Sequence, residues 1–147
     1  MRNLQDPLIK TLVASAAYTT TTTTAAFELP LCDTYHIIIN HTAVTGTSPT
    51  ADIQLKTSID GGTTYVGLPL RSTQVTAAGV THLVFKMGLG GNEVAVESPA
   101  AATGGTLAKN CVFDRKYMKL TFTIGGTNPS VTSVVYGLFS QNSSQSF

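Results

Sequence analysis

One stretch, residues 51–66 with the sequence ADIQLKTSIDGGTTYV, constrains the fold more than any other part of the chain. Two sets of residues alternate in it, and a period of two places them on opposite faces of a strand. The first set is Ile53, Leu55, Thr57 and Ile59, and the second is Asp52, Gln54, Lys56 and Ser58. Asp60-Gly61-Gly62 then supplies residues that tolerate the positive φ of a tight β-turn, before TTYV resumes a β-prone run. The stretch predicts a hairpin whose first set faces a core, and the rest of the chain must cover that face.

Similar short runs with β-prone residues recur along the chain, separated by turn residues. The further predicted strands are residues 19–29, 34–41, 81–89, 117–124 and 131–139, with 73–76 and 93–97 as weaker candidates. Residues 8–13 fit a short helix or a strand equally well. The sequences TGTSP at 45–49 and GGTNP at 125–129 are predicted to be a loop and a turn. About eight strands without a convincing helix predict an all-β fold, an antiparallel β-sandwich or jelly roll.

The chain has 147 residues, which is typical of one domain. We therefore expect residues 1–147 to form a single β-sandwich domain. Within it, residues 1–7 are predicted to be an arm and the Gly- and Ala-rich residues 88–110 a flexible loop. Residues 141–147, QNSSQSF, are predicted to be a polar tail.

Charge and hydropathy limit the classes of partner that the sequence predicts. Charged residues make up only 12% of the chain and the formal net charge is +1, without a basic patch, which argues against nucleic-acid binding. No apolar run approaches the roughly 20 residues that span a bilayer, so we expect no membrane partner. A surface that is polar but poorly charged suits a protein that packs against other protein.

The two cysteines, Cys32 and Cys111, lie far apart in the sequence. They are compatible with a disulfide, with two buried thiols, or with one thiol of each kind, and their spacing matches no metal or redox motif. Residues 14–17, ASAA, faintly resemble a signal-peptide cleavage site, but Asp6, Pro7 and Lys10 interrupt the apolar segment that such a signal needs. Reduced thiols are therefore the expected state.

Histidines are the first candidates for metal ligands. His36 and His41 are five residues apart, so on one strand they face opposite sides and do not converge. His82 is the only other histidine. The sequence therefore predicts three unrelated histidines and no metal site.

Acidic and serine residues give no catalytic pattern. Nothing selects a pair of carboxylates, and Asp60 is explained by its turn. No serine lies in a G-x-S-x-G elbow, and the glycine runs lack the spacing of a phosphate loop. We expect no enzymatic activity, no catalytic residues and no cofactor. The acids considered are Asp6, Glu28, Asp33, Asp52, Asp60, Glu93, Glu97 and Asp114.

Three segments resemble small capsid cement or decoration proteins of short-tailed phages, which have a jelly-roll fold. Residues 53–62, IQLKTSIDGG, are similar to the V-Q-L-Q-T-S-x-D-G strand and turn of that family. Residues 116–127, KYMKLTFTIGGT, are similar to its R-Y-L-R-L-x-Y-T-V-G-G-T strand and turn, and residues 131–139 to its closing strand. Residues 91–110 depart from the compact family pattern.

This resemblance implies a structural virion protein that binds the outer surface of the major capsid protein shell and bridges capsomers. It also implies a homo-oligomer, a dimer or trimer, which is made in the host cytoplasm and located on the capsid exterior. The family has no catalytic residues. Two alternatives stay open: a phage tail or neck component, and a carbohydrate-binding module for host attachment. The tyrosines available for stacking on sugars are Tyr18, Tyr35, Tyr65, Tyr117 and Tyr136.

Overall fold

A computed structural model describes residues 7–32, 34–87 and 106–140 of the chain. These residues form an all-β fold with a seven-stranded sheet that contains antiparallel pairs and one parallel pair, which confirms the predicted fold class. A sandwich-type arrangement fits the structure, while the jelly-roll topology stays a prediction. The strands are β1 (Leu8–Tyr18), β2 (Thr22–Thr23), β3 (Thr34–Ser58), β4 (Tyr65–Arg71), β5 (Gly79–Met87), β6 (Thr106–Cys111) and β7 (Met118–Ser140).

Two strands, β3 and β7, are much longer than the sequence predicts. They span 25 and 23 residues and pair with each other from Thr34 opposite Ser140 to Thr57 opposite Met118. The predicted loop at 45–49 and the predicted turn at 125–129 are therefore wrong. Both segments lie inside these strands, side by side, at irregularities in the register. Residues typical of turns here bend two paired strands instead of reversing the chain.

The backbone at this bend explains why turn residues are needed. Gly46 and Ser48 of β3 and Gly126 and Asn128 of β7 all have positive φ. A Cβ on Gly46 would lie 2.7 Å from the carbonyl oxygen of Asn128, and one on Gly126 would lie 2.6 Å from that of Ser48. The two backbones approach too closely for a side chain at either glycine, so the bends of β3 and β7 hold each other in place.

The bend divides the sheet into two halves. The five-stranded half contains, in order, β1, residues 131–140 of β7, residues 34–44 of β3, β5 and β6. The four-stranded half contains β2, residues 118–124 of β7, residues 50–58 of β3 and β4. Strands that pass from one sheet to another through a bend are a known way of building the corner of a β-sandwich.

Inward residues of both halves belong to one hydrophobic core. Tyr35 of the five-stranded half is fully buried and has ring contacts with Phe85, Phe113 and Phe139. Tyr18 lies opposite Val131 in the five-stranded half and stacks on Phe122 of the four-stranded half at 4.2 Å between ring centroids. Because core residues of each half contact the other, neither half has a separate interior. Other buried members are Ile37, Ile39, Ile53, Leu55, Leu83, Met118, Leu120 and Val135.

The hairpin at 51–66 forms, with one error in its predicted inner face. Ile53, Leu55 and Thr57 are buried, whereas Ile59 is 65% exposed. The strand alternation ends one residue earlier because the Ser58 hydroxyl accepts hydrogen bonds from the backbone N–H groups of Gly62 and Asp60. The Asp60 carboxylate accepts bonds from the Thr63 and Thr64 N–H groups, which completes a six-residue connection between β3 and β4. Gly61 and Gly62 have the predicted positive φ.

Several ambiguous segments are resolved. Residues 8–13 are the start of strand β1, which continues to Tyr18. In the threonine run only Thr22 and Thr23 pair as strand β2, so the predicted extended run is interrupted. The predicted loop at 88–110 is wrong for its last five residues, because β6 begins at Thr106 and pairs in parallel with β5. The rest of that loop, most of the predicted arm and the predicted tail lie outside the described residues.

Candidate interaction face

The outer surface of the five-stranded half is apolar. Register places its outward residues opposite one another: Ile9 opposite Leu138, Ile38 opposite Tyr136, and Asn40 opposite both Val80 and Val134. On β3, β5 and β7 the side chains next to these residues in sequence point into the core, as the strand period requires, whereas in β1 both neighbours of Ile9 are exposed as well. We call this surface the apolar face. Its members are Ile9, Ile38, Val80, Val84, Tyr136 and Leu138, together with His36 and His82.

Exposure distinguishes the apolar face from an ordinary outer surface of a sheet. Ile9 is 69% exposed, Val80 53% and Tyr136 36%, although each lies on a regular strand where a polar residue fits equally well. Lys86 of β5 is the only charged residue that the register of the described strands β1, β3, β5 and β7 places on this face. A contiguous apolar surface of this kind is typical of a protein–protein contact.

A pair of histidines lies within the apolar face. His36 of β3 and His82 of β5 approach to 2.8 Å between Nε2 and Nδ1, and the rings are 5.1 Å apart between centroids. Burial, and secondarily the nearby His82, lowers the pKa of His36 below its usual value. The prediction of three unrelated histidines is therefore wrong for this pair. His36 and His41 do point to opposite sides of β3, as predicted.

His41 lies in the interior and is 2% exposed. Its Nδ1 is 2.7 Å from the Ser133 hydroxyl and its Nε2 is 2.9 Å from the Thr81 hydroxyl. Burial lowers the pKa of His41 to about 4, so the ring is neutral near pH 7, with one nitrogen donating and the other accepting. A serine hydroxyl beside a histidine resembles a nucleophile and its base, but Ser133 is fully buried and cannot meet a substrate. The contact stabilises the fold.

The predicted acids fall into local structural roles where the structure describes them. Asp60 closes its turn, and its hydrogen bonds, chiefly those from Thr64, lower its pKa. Asp52 accepts from the Gln74 amide, Asp114 accepts from the Lys116 N–H, and Glu28 pairs with Arg115. Within residues 7–32, 34–87 and 106–140, no group of three or more His, Cys, Asp or Glu residues is placed to hold a metal ion. Asp6, Asp33, Glu93 and Glu97 lie outside the described residues.

The five tyrosines do not form a common surface. Tyr18 and Tyr35 are core residues, and burial raises the pKa of both phenols. The Tyr65 ring lies under the Lys119 ammonium at 4.2 Å, on the four-stranded half. Tyr136 alone belongs to the apolar face. Tyr65 and Tyr117 lie on either side of Ser58, so at most two of the five rings share an outer surface, and the arrangement shows no longer row of rings on which a sugar chain could stack.

A second exposed apolar region lies at the end of the molecule away from the bend. Leu31, Ile59 and Val112 are 76%, 65% and 59% exposed and line an open depression of about 480 Å³. Arg115 and Asp114 lie at the same depression. It consists of connections before β3, after β3 and before β7, so it is less rigidly supported than the apolar face.

Sequence reasoning could identify the strands of the apolar face but not the face itself. His36 and His82 were both in predicted strands, yet their meeting depends on the β3–β5 register, which no local pattern specifies. Comparison with protein-family models, curated proteins and solved structures gives no match to the chain. In the part of the chain that the structure describes, no helix is long and apolar enough to cross a membrane.

Proposed function

We propose that the protein is a structural component of a phage particle, a capsid cement or decoration protein. It binds the outer surface of the major capsid protein shell, bridges capsomers and stabilises the shell, without catalysing a reaction. It is made in the host cytoplasm, assembles as a homo-oligomer and is located on the capsid exterior.

The apolar face is the observation that carries this proposal. Ile9, Val80 and Tyr136 are exposed on paired strands, and Lys86 is the only charge that the described register of β1, β3, β5 and β7 places among them. Burying such a surface against another protein releases water from apolar groups and desolvates few charges. Repeated placement on a symmetric shell then multiplies a modest affinity at each site. The sequence resemblance to phage cement proteins supports the same role.

Co-sedimentation with expanded capsids that lack the protein tests the proposal. We expect saturable binding, and we expect the double substitution Ile9→Thr with Val80→Thr to weaken it at least about tenfold, since a hydroxyl replaces an ethyl group at Ile9 and a methyl group at Val80 on the surface that the contact buries. Thr123→Val is the matched control, because Thr123 is exposed on the outer side of the four-stranded half and the exchange, like Val80→Thr, is nearly isosteric. The control should bind as the native protein does.

Two results would contradict the proposal. Absence of native protein from the capsid pellet over a range of salt concentrations argues against the cement role. Native binding that the double substitution leaves unchanged argues against the apolar face as the contact. Imaging of labelled protein on virions separates the alternatives: label at one vertex or along the tail indicates a tail or neck component.

A further inference from the structure

The His36–His82 pair has the geometry of two metal ligands on neighbouring strands. His82 lies opposite Ile38, so His36 is its diagonal neighbour on the same side of the sheet. The two facing nitrogens, Nε2 of His36 and Nδ1 of His82, are 2.8 Å apart. In the neutral pair one ring donates its proton to the lone pair of the other. If the donor ring changes tautomer, two imidazole lone pairs point into the same gap.

We propose that His36 and His82 together bind one divalent transition-metal ion, such as Zn²⁺, Ni²⁺ or Cu²⁺, on the apolar face. Zinc–imidazole bonds of 2.0–2.1 Å at a tetrahedral angle place two ligand nitrogens about 3.3 Å apart. The gap therefore has to open by about half an ångström, which small rotations of two half-buried side chains can supply. The proton of the donor ring moves through solvent to its other nitrogen, so binding releases no proton from a neutral pair.

The ligand chemistry selects the class of ion. Two imidazoles without a carboxylate favour zinc, nickel and copper over magnesium and calcium, which require oxygen ligands. The described residues offer no third His, Cys, Asp or Glu to this group, so water occupies the remaining coordination positions. Those positions face outward, because the pair lies on the outer surface of β3 and β5. The site is consequently open, of moderate affinity, and able to accept a ligand from another molecule.

His41 shows by contrast why the pair is suited to a metal. Both nitrogens of His41 are engaged by the hydroxyls of Ser133 and Thr81, and the ring is buried in the core. An ion at His41 would lose its hydration without gaining a second protein nitrogen. His36 and His82 have a partner nitrogen already in place and lie on two adjacent strands that hold their spacing.

Metal binding to the full-length, tag-free protein tests this inference, which does not depend on the proposed function. Calorimetric titration with NiCl₂ and ZnCl₂ at about pH 8, where imidazole is neutral, should give one ion per chain. His36→Gln and His82→Gln should each weaken binding at least about tenfold, since loss of even an outer-shell partner commonly costs 10–100-fold. Asn40→Ser, on the same side of β3, should leave binding unchanged.

Two further readouts keep the test independent of how well the variants fold. Zn²⁺ should raise the melting temperature of the native protein and not that of either glutamine variant, because a ligand stabilises the state that binds it. The electron paramagnetic resonance spectrum of bound Cu²⁺ should show hyperfine splitting from two imidazole nitrogens. No saturation by about 1 mM ion would overturn the proposal, as would native-like binding in both glutamine variants.

Discussion

The two halves of the sheet share one hydrophobic core, but their outer surfaces differ in polarity. Outside the five-stranded half, exposed Ile9, Val80 and Tyr136 form the apolar face. Outside the four-stranded half, the same strands β3 and β7 carry polar and charged residues. These outward residues are Asp52, Gln54, Lys56, Lys119, Thr121 and Thr123.

This difference shows whether the fold itself requires an apolar outer surface. The four-stranded half shows that a polar exterior is compatible with the core, because its inward residues Ile53, Leu55 and Phe122 are buried in the same cluster. The apolar exterior of the five-stranded half is therefore not a requirement of folding. An exposed apolar surface that contributes little to stability is best explained by a partner that covers it.

The largest expected effect tests whether the interior is truly shared. Phe122→Ala removes a fully buried ring that stacks on Tyr18 at 4.2 Å, and we expect a loss of about 3–5 kcal/mol in the free energy of unfolding. Thr123→Ala, one residue along and exposed on the outer side, should cost less than about 1 kcal/mol. Equilibrium unfolding in urea measures both.

The number of transitions in urea also tests whether the two halves share one core. Because core residues from both halves are in contact, Phe122→Ala should lower the stability of the whole sheet in a single transition. Two separate transitions in this variant, with the five-stranded half unfolding as the native protein does, would show that each half has its own core.

The prediction of intermediate size concerns the pH dependence of stability, which differs between the histidines on the inner and outer sides of β3. The pKa of His41 is about 4 in the folded state, below the usual 6.5, so the unfolded chain takes up a proton first as pH falls. The His41 contribution is complete above pH 6.5 and is lost between pH 6.5 and about 4, by up to about 3 kcal/mol.

Urea unfolding at a series of pH values checks the His41 prediction. His41→Gln should remove most of the loss of stability, whereas His36→Gln, on the outer side of the same strand, should retain the His41 contribution and remove only that of His36, whose pKa is also lowered. Proton NMR provides an independent check, because the His41 ring signals should show no titration at pH values above about 5.5. A midpoint for His41 near 6.5 would contradict the prediction.

The sequence predicts the fold class well because strand alternation is local. Ile53, Leu55 and Thr57 are buried as their period of two requires. The bend was missed because TGTSP at 45–49 and GGTNP at 125–129 carry the same signals as chain-reversing turns. Which of the two forms depends on whether another strand pairs alongside, and that pairing joins residues about eighty positions apart in the sequence.

The candidate site was predictable only in its parts. Alternation placed His36 and His82 on strands, but the contact between them needs the β3–β5 register. The same holds for the apolar face, whose members Ile9, Val80 and Tyr136 come from three strands. Exposed apolar residues look like core residues in a sequence pattern, since the pattern gives two faces and does not say which one another layer covers.

The smallest expected effect is the change in stability caused by substitutions on the apolar face, and it determines how a loss of capsid binding is interpreted. The double substitution Ile9→Thr with Val80→Thr exchanges β-branched residues that are 69% and 53% exposed, so strand propensity and burial change little. Each of the two substitutions should change the free energy of unfolding in urea by no more than about 0.5 kcal/mol. Thr123→Val on the four-stranded half should behave in the same way. If the double substitution instead destabilises the protein by several kcal/mol, the apolar exterior supports the fold, and the contrast between the two exteriors no longer indicates a partner. If stability is unchanged, any loss of capsid binding in this variant reports on the contact surface alone.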